Sequence, residues 1–550
     1  MRNNQYLKNI PVELAIVIIT SLLFIPFLGN VHLFDWDEIN FAEAAREMLV
    51  TGNYSRVQID YLPFWEKPPL FIWLQALSMK IWGINSFGAR FPNAVCGIIT
   101  ILCLYRIGKR LYNQQFGILW AVIYCGTFLT FLYFKSGIID PVFNLFIFLS
   151  IFYLSFTSNR EFPKRVKYLF LSGLFLGLAI LTKGPVALLI VLLCVLVLYF
   201  ISGFKWYWTI KDIVIVAITT LLITLLWFGI EMVKSGFWFI TEFITYQIRL
   251  FQTQDAGHGG PFFYHWIILL IGCFPASIFA IYGLAKKQNS NHEQLNFRKW
   301  MIVLFWVVLI LFSIVKTKIV HYSSLCYFPL TFLATYALYY IIEGIIAWKK
   351  AFSIGIIILG GLVALVLIIL PFLMINKELW VPMIKDPFAV ANLQANVKWS
   401  YLDSTGGIIL LAGVIFSAIM ANKQKIKLAT YSLFISVAIT MFITSALVVP
   451  KIELISQAAA IRFYESKKNE DCYIQVVGFK SYAQYFYGEK KIVKNSASRD
   501  INWLISGNID KPVYFVTKIT MEDKVKELSK FEKVGEENGF IFFRRSVHKF

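Results

Sequence analysis

Stretches near residues 12–29, 91–107, 213–232, 353–374 and 428–448 run apolar for about 18 residues or more, the length a helix needs to cross bilayer hydrocarbon. An ordinary soluble domain has no use for several such helices, and further apolar runs lie between these. Charged residues make up 15% of the 550, against roughly 25% in soluble domains. Lipid, rather than one large soluble core, therefore receives the apolar surface. The fold class that follows is a polytopic α-helical membrane protein with about 13 transmembrane helices and a small C-terminal α/β soluble domain.

The net charge of +20 would suit a nucleic-acid partner, but its placement argues against one. Basic residues cluster in short connections: Lys109/Arg110, Arg160 to Lys167, Lys205/Lys211, Lys286/Lys287 with Arg298/Lys299, Lys349/Lys350, and Lys423 to Lys427. Cytoplasmic loops collect Lys and Arg, so these clusters mark the inside, together with Arg2 and Lys8. An odd number of crossings then puts the N-terminus in the cytoplasm and the C-terminal unit on the opposite face, periplasmic in a bacterial inner membrane. The cysteines show neither zinc spacing nor a disulfide framework: Cys96, Cys103, Cys125, Cys194, Cys273 and Cys326 fall in apolar spans and Cys472 stands alone. No small-residue cleavage site follows the first apolar run, which is expected to be a retained helix.

The chain divides into a membrane part, 1–448, with an outer-face loop at 30–90, and a soluble part, 449–550. Further outer connections are expected at 233–262, around Lys316 to His321, and at 375–404. Tight hairpins join 116–134 to 136–157 and 168–182 to 186–202, the second hinged at Lys183-Gly184-Pro185. Within the first loop, Asp37 to Leu49 has helical spacing. Phe71 to Trp82 is too short to span and suits a helix lying at the interface. In the soluble part, strands are expected at Tyr473 to Val477, Val513 to Val516 and Phe540 to Phe543. Helices are expected at Ile452 to Lys467, Tyr482 to Tyr487 and Glu522 to Lys530. No glycine-rich phosphate loop occurs there.

Ionisable groups beside a membrane are costly and ask for a reason. Asp35, Asp37 and Glu38 follow the first span directly and are candidates for a general base or a metal ligand. The bland alternative is a helix cap, with Asp35 or Asp37 capping and Glu38 in the first turn. Lys67, in Glu66-Lys67-Pro68-Pro69, can meet a phosphate at headgroup level or simply snorkel. Asp140-Pro141 opens a span as a catalytic carboxylate or as a cap followed by proline. Arg249 and the Gly257-His258-Gly259-Gly260-Pro261 stretch share an outer loop in which glycines admit a ligand. Lys316, Lys318 and His321, with Tyr322, put positive charge on the face where it is disfavoured, which suggests anion and substrate binding.

These segments together, from Asp37-Glu38 and Ala42-Glu43-Ala44-Ala45-Arg46-Glu47-Met48-Leu49 through Gly52-Asn53-Tyr54, Glu66-Lys67-Pro68-Pro69-Leu70 and Arg90-Phe91-Pro92, resemble the GT-C membrane glycosyltransferases. The relatives are the protein O-mannosyltransferases and the aminoarabinose transferases that modify lipid A. The likeness continues in order through Asp140, Leu181-Thr182-Lys183-Gly184-Pro185, Arg249, His258-Gly259-Gly260-Pro261 and Lys316-Thr317-Lys318 to His321-Tyr322. It implies a polyprenyl (undecaprenyl) monophosphate sugar donor, inverting transfer on the outer face, and a lipid, glycan or protein acceptor. By the same resemblance Asp37 is the base, Lys67 and Arg249 stabilise the leaving phosphate, and Asp140 supports the cleft. Glu66 with His258 is a thin site for a divalent cation, so no cofactor is required and a metal is optional. The family's motif is Asp-Glu, and the presence of both Asp35 and Asp37 leaves the choice of base between them open. The competing reading is a transporter or flippase of lipid-linked sugars, which should carry its ionisable groups at mid-membrane in broken helices.

Overall fold

The computed structural model describes residues 11–252, 259–285, 291–492 and 494–547. Among these, eight helices are long and apolar enough to cross a membrane, or nine if the bent pair Tyr264–Gly272 and Ala276–Ala285, at 114° to each other, forms one span. The shorter apolar helices Val12–Phe24, Gln114–Cys125, Asp140–Phe156 and Val186–Ile201 fall where further crossings were expected. The 375–404 connection is more ordered than a plain loop, since it carries the short helix Pro387–Leu393, capped by Asp386, and 3₁₀ turns on either side.

The 30–90 segment, expected as the first outer loop, folds around the helix Asp37–Thr51, hereafter the loop helix. It is buried almost all round, and it stops where Gly52 turns left-handed at φ 68°, a conformation glycine adopts without strain. A two-stranded hairpin follows, β1 Gln58–Ile59 and β2 Leu62–Pro63. The helix Leu70–Trp82 packs Ile72, Ala76 and Met79 against the loop helix and leaves Leu77, Ile81 and Trp82 exposed. One apolar face out and one in is what an interfacial helix requires.

The C-terminal sheet contains β3 Tyr473–Val476, β4 Val513–Lys518, β5 Glu532–Glu537 and β6 Phe540–Arg545, in the order β3-β4-β6-β5. β3 and β4 are parallel, and the other pairings are antiparallel. The edge strand β5 was not anticipated, because its sequence is charged and exposed and has no apolar alternation to read. Side chains alternate across the sheet as strand geometry demands. Val513, Phe515, Ile541 and Phe543 face the unit's own helices, in a core with Leu504 and Leu528. Val516, Phe540 and Phe542 face the other way, into a core shared with Ile39, Ala42, Ala45 and Met48 of the loop helix. The C-terminal unit is thus built onto the outer loop rather than tethered beside it.

Phe542 is buried in that shared core and stacks on Phe463 with centroids 4.1 Å apart. Phe542→Ala is expected to cost about 3–5 kcal/mol through lost burial and a residual cavity. Thermal unfolding in detergent should show the loss, and limited proteolysis should cut the variant first within 449–547.

Candidate functional site

The site is framed by a buried ion pair. Arg90, from the helix Ser86–Leu111, donates Nε to Glu38 Oε1 at 2.9 Å and Nη2 to Glu38 Oε2 at 2.7 Å. Its remaining donors go to the carbonyls of Leu28 at 2.9 Å, Val31 at 2.6 Å and His32 at 2.9 Å. Glu38 also accepts from the Phe34 amide at 2.8 Å and from the Gly137 amide. Burial disfavours the ionised Glu38, but the guanidinium and these hydrogen bonds outweigh it and lower its pKa. Both groups are saturated. Glu38, expected among the catalytic carboxylates, is instead a structural anchor, because no oxygen lone pair faces an open cleft.

Its neighbour Asp37 turns away from that anchor, since adjacent helical residues do not share a face. The loop helix begins after Trp36 with no side-chain cap, so the capping role open to Asp35 and Asp37 is not used. His321 Nε2 donates to Asp37 Oδ2 at 3.1 Å and lies 3.8 Å from Asp140 Oδ2. Asp140 Oδ1 pairs with the ammonium of Lys183. Asp140 Oδ2 is buried with no hydrogen bond among the described residues. Burial pushes the Asp37 carboxyl up, but the hydrogen bond and charge of His321, then Lys67 and Lys183, prevail and hold it at about 2. Lys67 is lowered, chiefly by burial and also by Lys183, against the pull of Glu66, Asp37 and Asp140.

The local fold explains how charges gather here at tolerable cost. Asp37 and Asp140 are the first residues of their helices, and Lys183 is the last of Arg165–Lys183. Carboxylates at N-termini and a cation at a C-terminus are each favoured by the helix dipole. Asp140 does not cap; Pro141 follows it in the first turn, and its carboxylate reaches across to Lys183. In the sequence, Lys183 stood out as part of a hinge and of the family-like motif Leu181-Thr182-Lys183-Gly184-Pro185, with no role given to its side chain. The signal that singled out Lys316, positive charge on an outer face, applied equally to it.

Other candidates are placed differently. Lys318 directs its ammonium to the carbonyls of Phe312 at 2.9 Å, Ser313 at 2.7 Å and Val315 at 2.6 Å. It closes the C-terminal end of the helix His292–Ile314, and with its donors so occupied it does not serve the phosphate role expected of it. Lys316 is exposed in the same turn. Tyr322 presents its ring to Lys183, 5.2 Å from the ammonium. Asp35 faces Ser481, the Tyr482 backbone and Lys518 of the C-terminal unit rather than Asp37's cluster. Although solvent reaches Asp35, the surrounding protein pushes its carboxyl up to about 6 against those partners. Arg249 is exposed in the last turn of the helix Trp238–Gln252. Glu66 neighbours Lys67 and Tyr482, while His258 lies outside the described residues. Among the described residues, no group of three or more His, Cys, Asp or Glu side chains could hold a metal ion.

Comparison with known proteins fits this arrangement. Residues 66–229 match the family model of dolichyl-phosphate-mannose-protein mannosyltransferases. The undecaprenyl phosphate-α-4-amino-4-deoxy-L-arabinose arabinosyl transferase of Shewanella sediminis is 25% identical over 466 residues, covering 82% of this chain and 80% of that one. The enzyme of the same name from an Enterobacter species is 28% identical over 333 residues, and there the match spans 60% of this chain and 59% of the relative. In fold, the chain is similar to ArnT from Cupriavidus metallidurans in its crystal structure bound to undecaprenyl phosphate. The TM-score is 0.75 at 16% identity, covering 96% of this chain and 97% of that one. The archaeal oligosaccharyltransferase AglB of Archaeoglobus fulgidus is more distant, at TM-score 0.53 and 11% identity over 94% of this chain and 70% of its own.

Glu38→Ala would leave Arg90 buried without its counter-charge. The expected cost is about 3–5 kcal/mol. The measurement is thermal stability in detergent, where this variant should fall far below Asp37→Asn, whose side chain is part-exposed and keeps a hydrogen-bond acceptor for His321.

Proposed function

We propose that this chain, a GT-C membrane glycosyltransferase related to the aminoarabinose transferases, moves a sugar from undecaprenyl phosphate to a lipid acceptor, with inversion, on the outer face of a bacterial inner membrane. The carrying observation is the cluster of Asp37, His321, Asp140, Lys183 and Lys67. Two carboxylates stand among three basic side chains at helix ends, beside the apolar spans a polyprenyl tail would lie against. The names of the relatives support 4-amino-4-deoxy-L-arabinose as the sugar.

In the reaction, an acceptor oxygen attacks the anomeric carbon from the side opposite the phosphate. Asp37 takes any proton that oxygen still carries, and His321 fixes the carboxylate that does so. The bond between the anomeric carbon and the phosphate oxygen breaks, and its electron pair leaves with undecaprenyl phosphate. Charge grows on that phosphate as the bond lengthens, and cations already in place stabilise it without reorganising. Lys67 is assigned this task, and Arg249 is proposed to join it. The Asp140–Lys183 pair holds the far wall of the cleft. A divalent ion is not required by these steps.

Orientation follows from the basic clusters. Asp140 opens its helix and Lys183 closes the next, with Arg160 to Lys167 at the opposite ends of both. The positive-inside rule assigns that opposite end to the cytoplasm and the site to the outer face. A transporter's ionisable groups should sit at mid-membrane, whereas Asp37, Asp140, Lys183 and His321 sit at helix ends and Lys67 in the loop before the helix Leu70–Trp82.

Reconstituted with radiolabelled undecaprenyl-phosphate aminoarabinose and lipid A, the wild type should label the lipid. Asp37→Asn should reduce transfer by about 10²–10⁴-fold, the range of a general-base contribution, while thermal stability stays near wild type. Unchanged transfer would remove Asp37 from the mechanism. A pH profile gives a second check. His321 is the main influence lowering Asp37, so in His321→Gln, which loses the charge, the carboxyl titrates at higher pH. The acid limb of kcat/KM, governed by the fraction of ionised Asp37, should move upward in pH, with the alkaline limb read separately.

A further inference from the structure

Residues 32–36, which deliver Asp37 to the cleft, have no helical or strand ladder to satisfy their backbone, yet Leu33 is fully buried. Buried backbone groups need partners, and here the C-terminal unit provides them. The Leu33 amide donates to Tyr487 Oη at 2.6 Å, and the Leu33 carbonyl accepts from Gln457 Nε2 at 2.8 Å. His32 Nδ1 meets Glu453 Oε1 at 2.9 Å. The Trp36 ring lies against Tyr482 with centroids 4.9 Å apart. Tyr487 Oη also lies 3.3 Å from Ser86 Oγ, at the start of the helix that carries Arg90, and so ties loop, membrane helix and C-terminal unit at one atom.

A second attachment lies farther along the loop helix. Arg46, buried and bidentate to Glu43 at 2.7 Å for each bond, donates Nη2 to the Lys490 carbonyl at 3.0 Å. Tyr61 Oη donates to the same carbonyl at 2.6 Å. The Lys490 ammonium pairs with Asp60, whose carbonyl accepts from Arg499 Nη2 at 3.0 Å. Asp37 and Arg46 are separated by about 13 Å of rigid helix at 1.5 Å per residue. The stretch that carries Asp37 is therefore held before and after it by a segment more than 400 residues away in sequence.

We infer that the C-terminal unit is a clamp that sets the position of the Asp37 carboxylate, with Tyr487 and Tyr482 as positioning residues. This rests on the proposed glycosyl transfer for its catalytic readout. The shared apolar core would by itself hold the two parts together. Arg90 pins the chain on either side, at Val31, His32 and Glu38, but it makes no bond to residues 33–37 between them, and the core cannot set their rotation and height because apolar contacts are non-directional. The hydrogen bond at Leu33 and the ring contact at Trp36 do that, and a misplacement of about 1 Å at a reacting group costs about 100-fold in rate.

The test compares wild type with Tyr487→Phe, which deletes the hydroxyl, and Tyr482→Leu, a half-buried position that removes the ring facing Trp36. Tyr482→Phe restores that ring. Per folded enzyme, kcat should fall about tenfold or more in the first two variants while the donor KM stays within about twofold. The acid limb should move up in pH as Asp37 loosens from His321, and Tyr482→Phe should behave as wild type. Hydrogen–deuterium exchange should quicken across 33–41 in both defective variants. A lower melting temperature with unchanged kcat and pH profile would reduce these contacts to stability and overturn the clamp. If the wild type transfers no sugar from any undecaprenyl-phosphate donor, the functional reading fails separately. Exchange then decides: faster exchange at 33–41 keeps the mechanical coupling, and unchanged exchange overturns it.

Discussion

Arg90 has five N–H donors to satisfy inside a low-dielectric interior, and all of them are met: two by Glu38 and the rest by carbonyls of Leu28, Val31 and His32. Such a pair adds little net stability over apolar residues of similar volume, because desolvation offsets most of the attraction. Its worth lies in geometry. The carbonyls it binds belong to the chain leaving the first membrane helix, and the carboxylate belongs to the loop helix. The exit path of the first span and the start of the loop helix are thus fixed by one guanidinium. A slip of one residue would leave several buried polar groups unpaired, at about 1–3 kcal/mol each.

Everything at the cleft inherits this placement. Glu38 points inward to its anchor, so Asp37, one residue earlier, points outward to His321. The Gly137 amide that also binds Glu38 sits three residues before Asp140, and the same contact therefore brings the second outer turn close to the first. Lys183 then meets Asp140 at the mouth of the next hairpin. Asp37, Asp140 and Lys183 sit at helix termini whose dipoles favour the charges they carry. That is the economical way to keep ionisable groups beside hydrocarbon, where the same charges at mid-helix would face a far larger penalty.

Much of this was legible before the fold was known, and the failures have physical reasons. Span positions could be read because a bilayer demands long apolar helices. Asp37, Asp140, Lys67 and His321 could be picked out because charge beside a membrane is conspicuous. Glu38 could not be told from Asp37, since the feature separating them is Arg90, 52 residues away. Lys318 and Lys183 were equivalent outer-face lysines in one dimension. Only the fold turns one back onto the carbonyls of its own helix end and the other onto a carboxylate. β5 was invisible because an exposed, charged edge strand has no periodic apolar face. The dependence of the outer loop on Tyr482 and Tyr487 lay beyond reach for the same reason as Arg90, because it is a contact across most of the chain.

The depressed pKa of Asp37 bears on what the acceptor can be. A carboxylate held near 2 is a weak proton acceptor, poorly matched to an alcohol, since a general base works best when its pKa lies near the operating pH. Two effects bring the site back into balance. The low value belongs to a cleft in which His321, Lys67 and Lys183 all face Asp37. The donor's phosphate, a diester with a single negative charge, entering beside Lys67, would neutralise part of that field and raise the carboxyl again. An acceptor oxygen that is itself acidic needs still less help. A phosphate monoester, with a second pKa of about 6, arrives largely ionised at pH 7. On the proposed reading, an ionised phosphate acceptor would ask less of Asp37 than an alcohol would. For such a nucleophile, the Asp37–His321 pair would take the one proton that remains and hold the oxygen in line with the bond that breaks.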